Sequence, residues 1–252
     1  MAASREARRP PPPAPAAHWA LFLDVDGCLL DLADTPDAVI VPPSLHDTLR
    51  VMSDRLEGAL ALVSGRSLAS VDRLFTGRQW PASGLHGLER RTATHLVSAP
   101  PAPPHWPAVR DEARRLADNH RGTLFEDKGA ALALHWRTAP QAGTALRAFA
   151  EAMLPRLPGY CLQRGHDVVE LRPDAGDKGT AIVAFLEDAP FRGRVPVFVG
   201  DDITDESGFA VVNARNGISI LVGPRAHSCA HYALTDPAAV RAWLAHHPEQ
   251  AS

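Results

Sequence analysis

The stretch "ALFLDVDGCLLD", residues 20–31, decides the fold. An unbroken apolar run ends in Asp24, and Asp26 follows across a single valine. Continuous apolar runs belong to strands buried on both faces, the strands of parallel sheets covered by helices. Two negative charges therefore stand at the mouth of a buried strand. Working outward, the same style of run recurs twice. "ALALVSGR", 59–66, ends in Ser64, and "VPVFVGDD", 195–202, ends in Asp201 and Asp202. In open parallel sheets the ligand crevice lies outside the carboxyl ends of the strands, so Asp24, Ser64 and Asp201 are expected at one rim. Lys178 opens the helix that feeds the third run and reaches the same rim, where Asp205 and Glu206 add further negative charge.

Between these strands the apolar spacing is helical. Leu45, Leu49, Met52 and Leu56 recur along one face until Gly58, and Ser67 is placed to cap a helix carrying Leu68, Val71, Leu74 and Phe75. "PASGLHG", 81–87, is a short strand or turn. After the linker-like "SAPPAPPHWP", 98–107, the pattern changes. A helix near 108–119, a hairpin from "TLFED" and "ALALHWR", a helix near 140–154 and a hairpin in "YCLQRGHDVVELRP" predict an α+β insert of about 75 residues. The predicted fold is α/β, a Rossmann-like doubly wound parallel sheet with an inserted α+β cap domain. The core is assigned to residues 19–98 and 175–248 and the cap to 99–174. The Pro-rich residues 1–18 are predicted to be a disordered leader.

Composition narrows the function classes. The 252 residues are 45% hydrophobic and 22% charged, ordinary for a globular protein. A net charge of −3 gives no reason to expect nucleic acid or an anionic membrane as partner. No apolar run reaches the roughly 18 residues that would span a bilayer. Cys28, Cys161 and Cys229 are scattered without metal-ligand spacing, which predicts free thiols in a reducing, cytoplasmic setting.

Gathered carboxylates repel. At about 4 Å two unit charges cost roughly 4 kcal/mol at an effective dielectric near 20. A cluster of Asp24, Asp201, Asp202 and Asp205 therefore asks for a hard cation, and all-oxygen ligation points to Mg²⁺ with phosphate as the remaining ligand. Two aspartates at i and i+2 can divide labour. One attacks phosphorus, while the other gives a proton to the leaving oxygen and later takes one from water. Cys28 stands beside carboxylates that raise its pKa, so it is expected to be a buried bystander. For Asp202 and Asp205, capping the next helix is a rival role.

"DVDGC", "SGR", "DKG" and "GDDITDE" resemble, in order and separation, the four motifs of haloacid-dehalogenase-like phosphatases. "VIVPPSL", "GLHGLERR", "FEDKGAALALHWR" and "ELRPDAGDKGTA" extend the resemblance to the trehalose-6-phosphate phosphatase family, from about residue 19 to 245. That resemblance implies Mg²⁺-dependent hydrolysis of trehalose 6-phosphate through an aspartyl-phosphate. Another capped sugar-phosphate phosphatase and a non-catalytic sugar-phosphate sensor are the alternatives. It makes Asp24 the nucleophile and Asp26 the general acid/base, with Ser64 and Lys178 holding the phosphoryl group. It gives Mg²⁺ to Asp24, the Asp26 carbonyl and Asp201, supported by Asp202 and Asp205. Ser64, Gly65, Arg66, His86, Glu126, Lys128, His166 and Glu170 are assigned to substrate, although Arg66 is read as a salt-bridge partner outside the catalysis. The only expected partner is a small sugar phosphate, met by a monomer or weak dimer. Two departures stand out: Cys28 replaces the family's usual threonine, and His166 stands where lysine is common.

Overall fold

A computed structural model describes residues 9–246. Along them the strands are β1 (Trp19–Leu23), β2 (Leu60–Val63), β3 (Ala82–Gly84), β4 (Glu89–Arg91), β5 (Leu96–Val97), β6 (Leu124–Asp127), β7 (Leu132–His135), β8 (Tyr160–Gly165), β9 (Val168–Pro173), β10 (Val195–Gly200), β11 (Ile218–Val222) and β12 (Tyr232–Leu234). The α-helices are α1 (Pro43–Arg55), α2 (Leu68–Leu74), α3 (Trp106–Asp118), α4 (Gly143–Met153), α5 (Lys178–Leu186), α6 (Glu206–Asn213) and α7 (Pro237–Ala245). The chain forms two compact units. One holds the residues up to Leu32, Val39–Leu96 and those from Gly176 on, and the other holds Ala33–Ala38 and Val97–Ala175.

In the first unit the sheet order is β12-β11-β10-β1-β2-β3-β4-β5, parallel from β12 through β3. The chain moves from β1 to β2 and β3 in one direction, and from β10 to β11 and β12 in the other. The order reverses between β1 and β10, which sets the ligand crevice beyond their carboxyl ends. Every residue of β1 and β2 is buried, as their unbroken apolar runs require. Phe22 of β1 packs against Phe185 of α5 and Phe191, with ring centroids 5.8 and 5.5 Å away. Each buried ring contributes about 1.5–3 kcal/mol. Together they fix α5, and with it Lys178, against the strand that ends in Asp24.

In the second unit the antiparallel order is β6-β7-β9-β8. One side carries the core, in which Trp106 and Val109 of α3 and Leu146 of α4 pack with Leu132, Leu134, Val169 and Leu171. The alternation of β7 leaves Ala133 out of phase with Leu132 and Leu134. Glu126 and Glu170 lie in register with Ala133 on either side of it.

The N-terminal segment departs from expectation. Residues 1–8 of the predicted leader lie outside the described residues, but residues 9–18 are strapped to the first unit rather than disordered. Arg9 donates to the carbonyls of Arg225, Ala226, Ser228 and Ala230. Ala233 donates its backbone N–H to the Pro10 carbonyl, Trp243 its indole N–H to Pro13, and Arg55 a guanidinium N–H to Pro15. Proline offers carbonyls and no N–H, so a strap of this composition needs donors only from its partner. The core supplies them.

Candidate active site

β1 and β10 pair through Leu23 and Val199, so Asp24 and Asp201 leave the sheet side by side. The Asp24 N–H donates to the Val199 carbonyl at 2.9 Å. Gly27 turns the chain with φ at +76°, and a Cβ there would stand 2.2 Å from Asp201 Oδ2. Only glycine lets the Asp201 carboxylate settle against this loop. Lys178 arrives from the other direction. Its helix opens with a reciprocal cap, in which the Asp177 carboxylate accepts the Thr180 N–H and the Thr180 side chain answers the Asp177 N–H. Lys178 Nζ then donates to Asp24 Oδ1 at 2.8 Å and to Asp205 Oδ1 at 2.7 Å. Asp205 Oδ2 accepts the backbone N–H groups of Asp201 and Asp202 at 2.9 and 2.8 Å.

Carboxylate oxygens of Asp24, Asp201 and Asp205 lie within 4.8 Å of one another. Burial pushes the Asp24 carboxyl well above the usual range; Lys178 opposes this, and Asp205 and Asp201 add to it. Burial, then Asp205, pushes Asp201 up to about 7. Burial works against the Lys178 charge, but Asp205 and Asp24 outweigh it and hold the amine protonated. Three carboxylates thus share one ammonium, and Asp201 Oδ1 is buried without a hydrogen-bond partner. Uncompensated charge plus an orphaned oxygen in an all-oxygen donor set fits a hard divalent cation.

Asp202 lies outside the cluster of Asp24, Asp201 and Asp205. Its carboxylate is exposed and accepts the Ile203 N–H at 2.7 Å, capping the short 3-10 turn Ile203–Asp205. Asp202 and Asp205 cap this turn reciprocally, and fully buried Asp205 also braces Lys178 and the Asp201 backbone. The Cys28 thiol is fully buried and points to the Val199 carbonyl at 3.5 Å. Burial, then Asp24 and Asp201, push its pKa well up, which works against a nucleophilic thiolate.

At the end of β2, Ser64 is buried and its Oγ accepts the Arg66 N–H at 3.1 Å. A Cβ on Gly65 would meet the His86 ring at 2.6 Å, so the glycine is what lets the imidazole lie against this loop. His86 itself holds a left-handed φ of 55° and donates its N–H to the Ser64 carbonyl. Arg66 forms a bidentate pair with Asp26.

In the second unit Lys128 Nζ meets Glu170 Oε2 at 2.7 Å. Glu126 Oε2 meets His135 Nε2 at 2.9 Å. Burial raises the Glu126 carboxyl, but the Lys128 charge and the His135 hydrogen bond outweigh it and hold the group below its usual range. His135 was absent from the sequence assignment, although the Ala131–Ala133–His135 alternation marks it as sharing a face with Ala133. His166 lies in the β8–β9 turn with its side chain 90% exposed and pairs with neighbouring Asp167. It is not part of the Lys128–Glu170 pair.

Residues 22–238 match the family model described as trehalose-phosphatase. A probable trehalose-phosphate phosphatase of Sinorhizobium fredii (strain NBRC 101917 / NGR234) is 47% identical over 208 residues, covering 82% of this chain and 78% of that protein. The trehalose-6-phosphate phosphatase of Escherichia coli (strain K12) is 41% identical over 235 residues, covering 92% and 87%. Among solved structures, the C-terminal domain of C. albicans trehalose-6-phosphate phosphatase superposes with a TM-score of 0.77 over 91% of each chain, at 20% identity, a likeness of fold. The chain belongs to the trehalose-phosphatase family.

Proposed function

We propose that this chain is a phosphomonoesterase that hydrolyses trehalose 6-phosphate to trehalose and inorganic phosphate. The observation that carries this is the buried constellation of Asp24, Lys178, Asp205 and Asp201 at the point where the strand order reverses. An Asp24 oxygen attacks phosphorus and forms an acyl phosphate as the bond to the sugar oxygen breaks. Asp26 gives its proton to that departing oxygen. Water then attacks the acyl phosphate, returns a proton to Asp26 and frees phosphate and Asp24. Lys178 orients Asp24 and, with the Ser64 hydroxyl, offers donors to the phosphoryl oxygens. Asp24, the Asp26 carbonyl and Asp201 would hold Mg²⁺, with Asp205 behind them. A divalent cation held there would supply charge neutralisation for the phosphoryl oxygens and the attacking carboxylate.

On the second unit, Glu126, Lys128 and Glu170 are proposed to bind sugar hydroxyls, since carboxylates accept and ammonium donates. The test is phosphate release from trehalose 6-phosphate, sucrose 6-phosphate and glucose 6-phosphate, with Mg²⁺ and with a chelator. Trehalose 6-phosphate is expected to be the preferred substrate and the chelator to abolish release. Asp24→Asn is expected to lose at least about a thousandfold in kcat. Full activity in that variant, or a preference for another sugar, overturns the proposal.

A further inference from the structure

The sequence reads Arg66 as a salt-bridge partner outside the catalysis, yet its side chain grips the proposed general acid. Nε donates to Asp26 Oδ2 and Nη2 to Asp26 Oδ1, each at 2.7 Å. The Arg66 side chain is 8% exposed and that of Asp26 30%, so the fork is sheltered while the carboxyl still reaches solvent. The Arg66 backbone is itself held on both sides of its Cα. Its N–H donates to Ser64 Oγ, and its carbonyl accepts the Leu85 N–H at 2.8 Å. The loop that presents Ser64 thus also presents the guanidinium, and both come from the end of β2.

We propose that Arg66 is a positioning residue for Asp26. It holds the carboxyl in one orientation, from which the proton reaches the sugar oxygen leaving phosphorus. This rests on the phosphatase mechanism above. An aspartate side chain in a partly open site rotates freely and exchanges partners with water. A planar guanidinium bound to both oxygens removes that freedom, and a lysine ammonium cannot, because it is a point donor. In the first half of the reaction, the proton leaves the outward side of one Asp26 oxygen for the departing oxygen as the phosphorus–oxygen bond breaks, and the carboxylate left behind keeps both hydrogen bonds from Arg66. In the second half, the attacking water restores the proton to the same carboxyl. Arg66 neither gains nor loses a proton.

Two substrates separate this role from phosphate binding or mere folding. Trehalose 6-phosphate expels an alkoxide that needs a proton, whereas p-nitrophenyl phosphate expels a stabilised phenolate that does not. The quantity compared is kcat/KM, which ends at phosphorylation of Asp24 and so excludes the dephosphorylation step common to both. Arg66→Ala is expected to lower kcat/KM on trehalose 6-phosphate by about a hundredfold, the scale of general-acid catalysis. The loss on p-nitrophenyl phosphate is expected to be smaller by about thirtyfold or more. Arg66→Lys is expected to show the same bias at smaller size, losing roughly tenfold on trehalose 6-phosphate and less than about threefold on p-nitrophenyl phosphate, and it carries the test if the alanine variant does not fold. Asp26→Asn repeats the pattern, and Arg66→Ala adds little to it in the double variant. Equal losses on both substrates overturn the proposal in favour of a phosphate-binding or structural Arg66, and no loss on either overturns it as well. Failure of the underlying mechanism is visible separately, as wild-type protein that releases no phosphate from trehalose 6-phosphate.

Discussion

At the scale of single residues, the departure at Cys28 is the most direct test of how roles divide around Asp24. The thiol is fully buried and its one hydrogen bond runs to the Val199 carbonyl, which also accepts the Asp24 N–H. A threonine hydroxyl can make that bond better, gaining about 1 kcal/mol. Its extra methyl costs about 1–3 kcal/mol in a full core. The two nearly cancel, and nothing in the change touches Asp24, Lys178 or Asp201. Cys28→Thr is therefore expected to keep kcat within about threefold of the parent and its stability within about 2 kcal/mol. A kcat for Cys28→Thr as low as that of Asp24→Asn, measured on the same substrate, would restore the thiol to the chemistry.

At the scale of elements, the N-terminal strap is where sequence and structure part. A run of prolines lacks apolar periodicity and reads as solvated chain. What orders it is distant: Arg55 on α1, Trp243 on α7 and Ala233 on β12 each donate to one of its carbonyls. Those donors are forty, or more than two hundred, residues away from the prolines, so no local pattern announces them. Removing residues 9–15 leaves these three donors to water, also loses the four Arg9 hydrogen bonds, and is expected to cost roughly 3.5–7 kcal/mol, at about 0.5–1 kcal/mol for each hydrogen bond lost. Thermal unfolding is expected to show a Tm lower by several degrees with kcat unchanged below the transition; an unaltered Tm would mean the strap adds nothing. The buried strands were legible for the opposite reason. Strands β1, β2 and β10 sit between covered faces, and each writes that fact as an apolar run ending in its functional residue. Asp202 and Asp205 were not separable, because the same letter caps one turn from both positions and only at the second also braces Lys178. Only backbone direction distinguishes them. Arg66 was visible, but its partner Asp26, forty positions earlier, was not.

At the scale of the whole molecule, the site sets how stability depends on pH and metal. Asp24 and Asp201 hold their protons more tightly in the folded chain than in the unfolded one, because burial and mutual repulsion oppose their charge. A carboxyl whose folded pKa is raised contributes stability that is fully present below its unfolded pKa, near 4, and is lost as pH rises through the folded value. For Asp201 that value is about 7. Metal-free protein is therefore expected to become less stable from about pH 4 to above pH 7 on account of this pair. Carboxyls held below their usual range, such as Glu126 and Glu206, act in the opposite sense but only at more acidic pH. Mg²⁺ bound at this site would compete with those same protons, so its apparent affinity would fall with the deprotonated fraction, and a ligand stabilises the folded state by RT ln(1 + [L]/Kd). Added Mg²⁺ is thus expected to raise Tm clearly at pH 8 and little at pH 5. Asp201→Asn is expected to flatten the pH dependence between these values and to remove most of the Mg²⁺ effect. The measurement is a set of melting curves for both proteins at the two pH values, with Mg²⁺ and with a chelator. A Mg²⁺-induced rise of equal size at pH 5 and pH 8, or one that survives in Asp201→Asn, would place the cation away from Asp24 and Asp201.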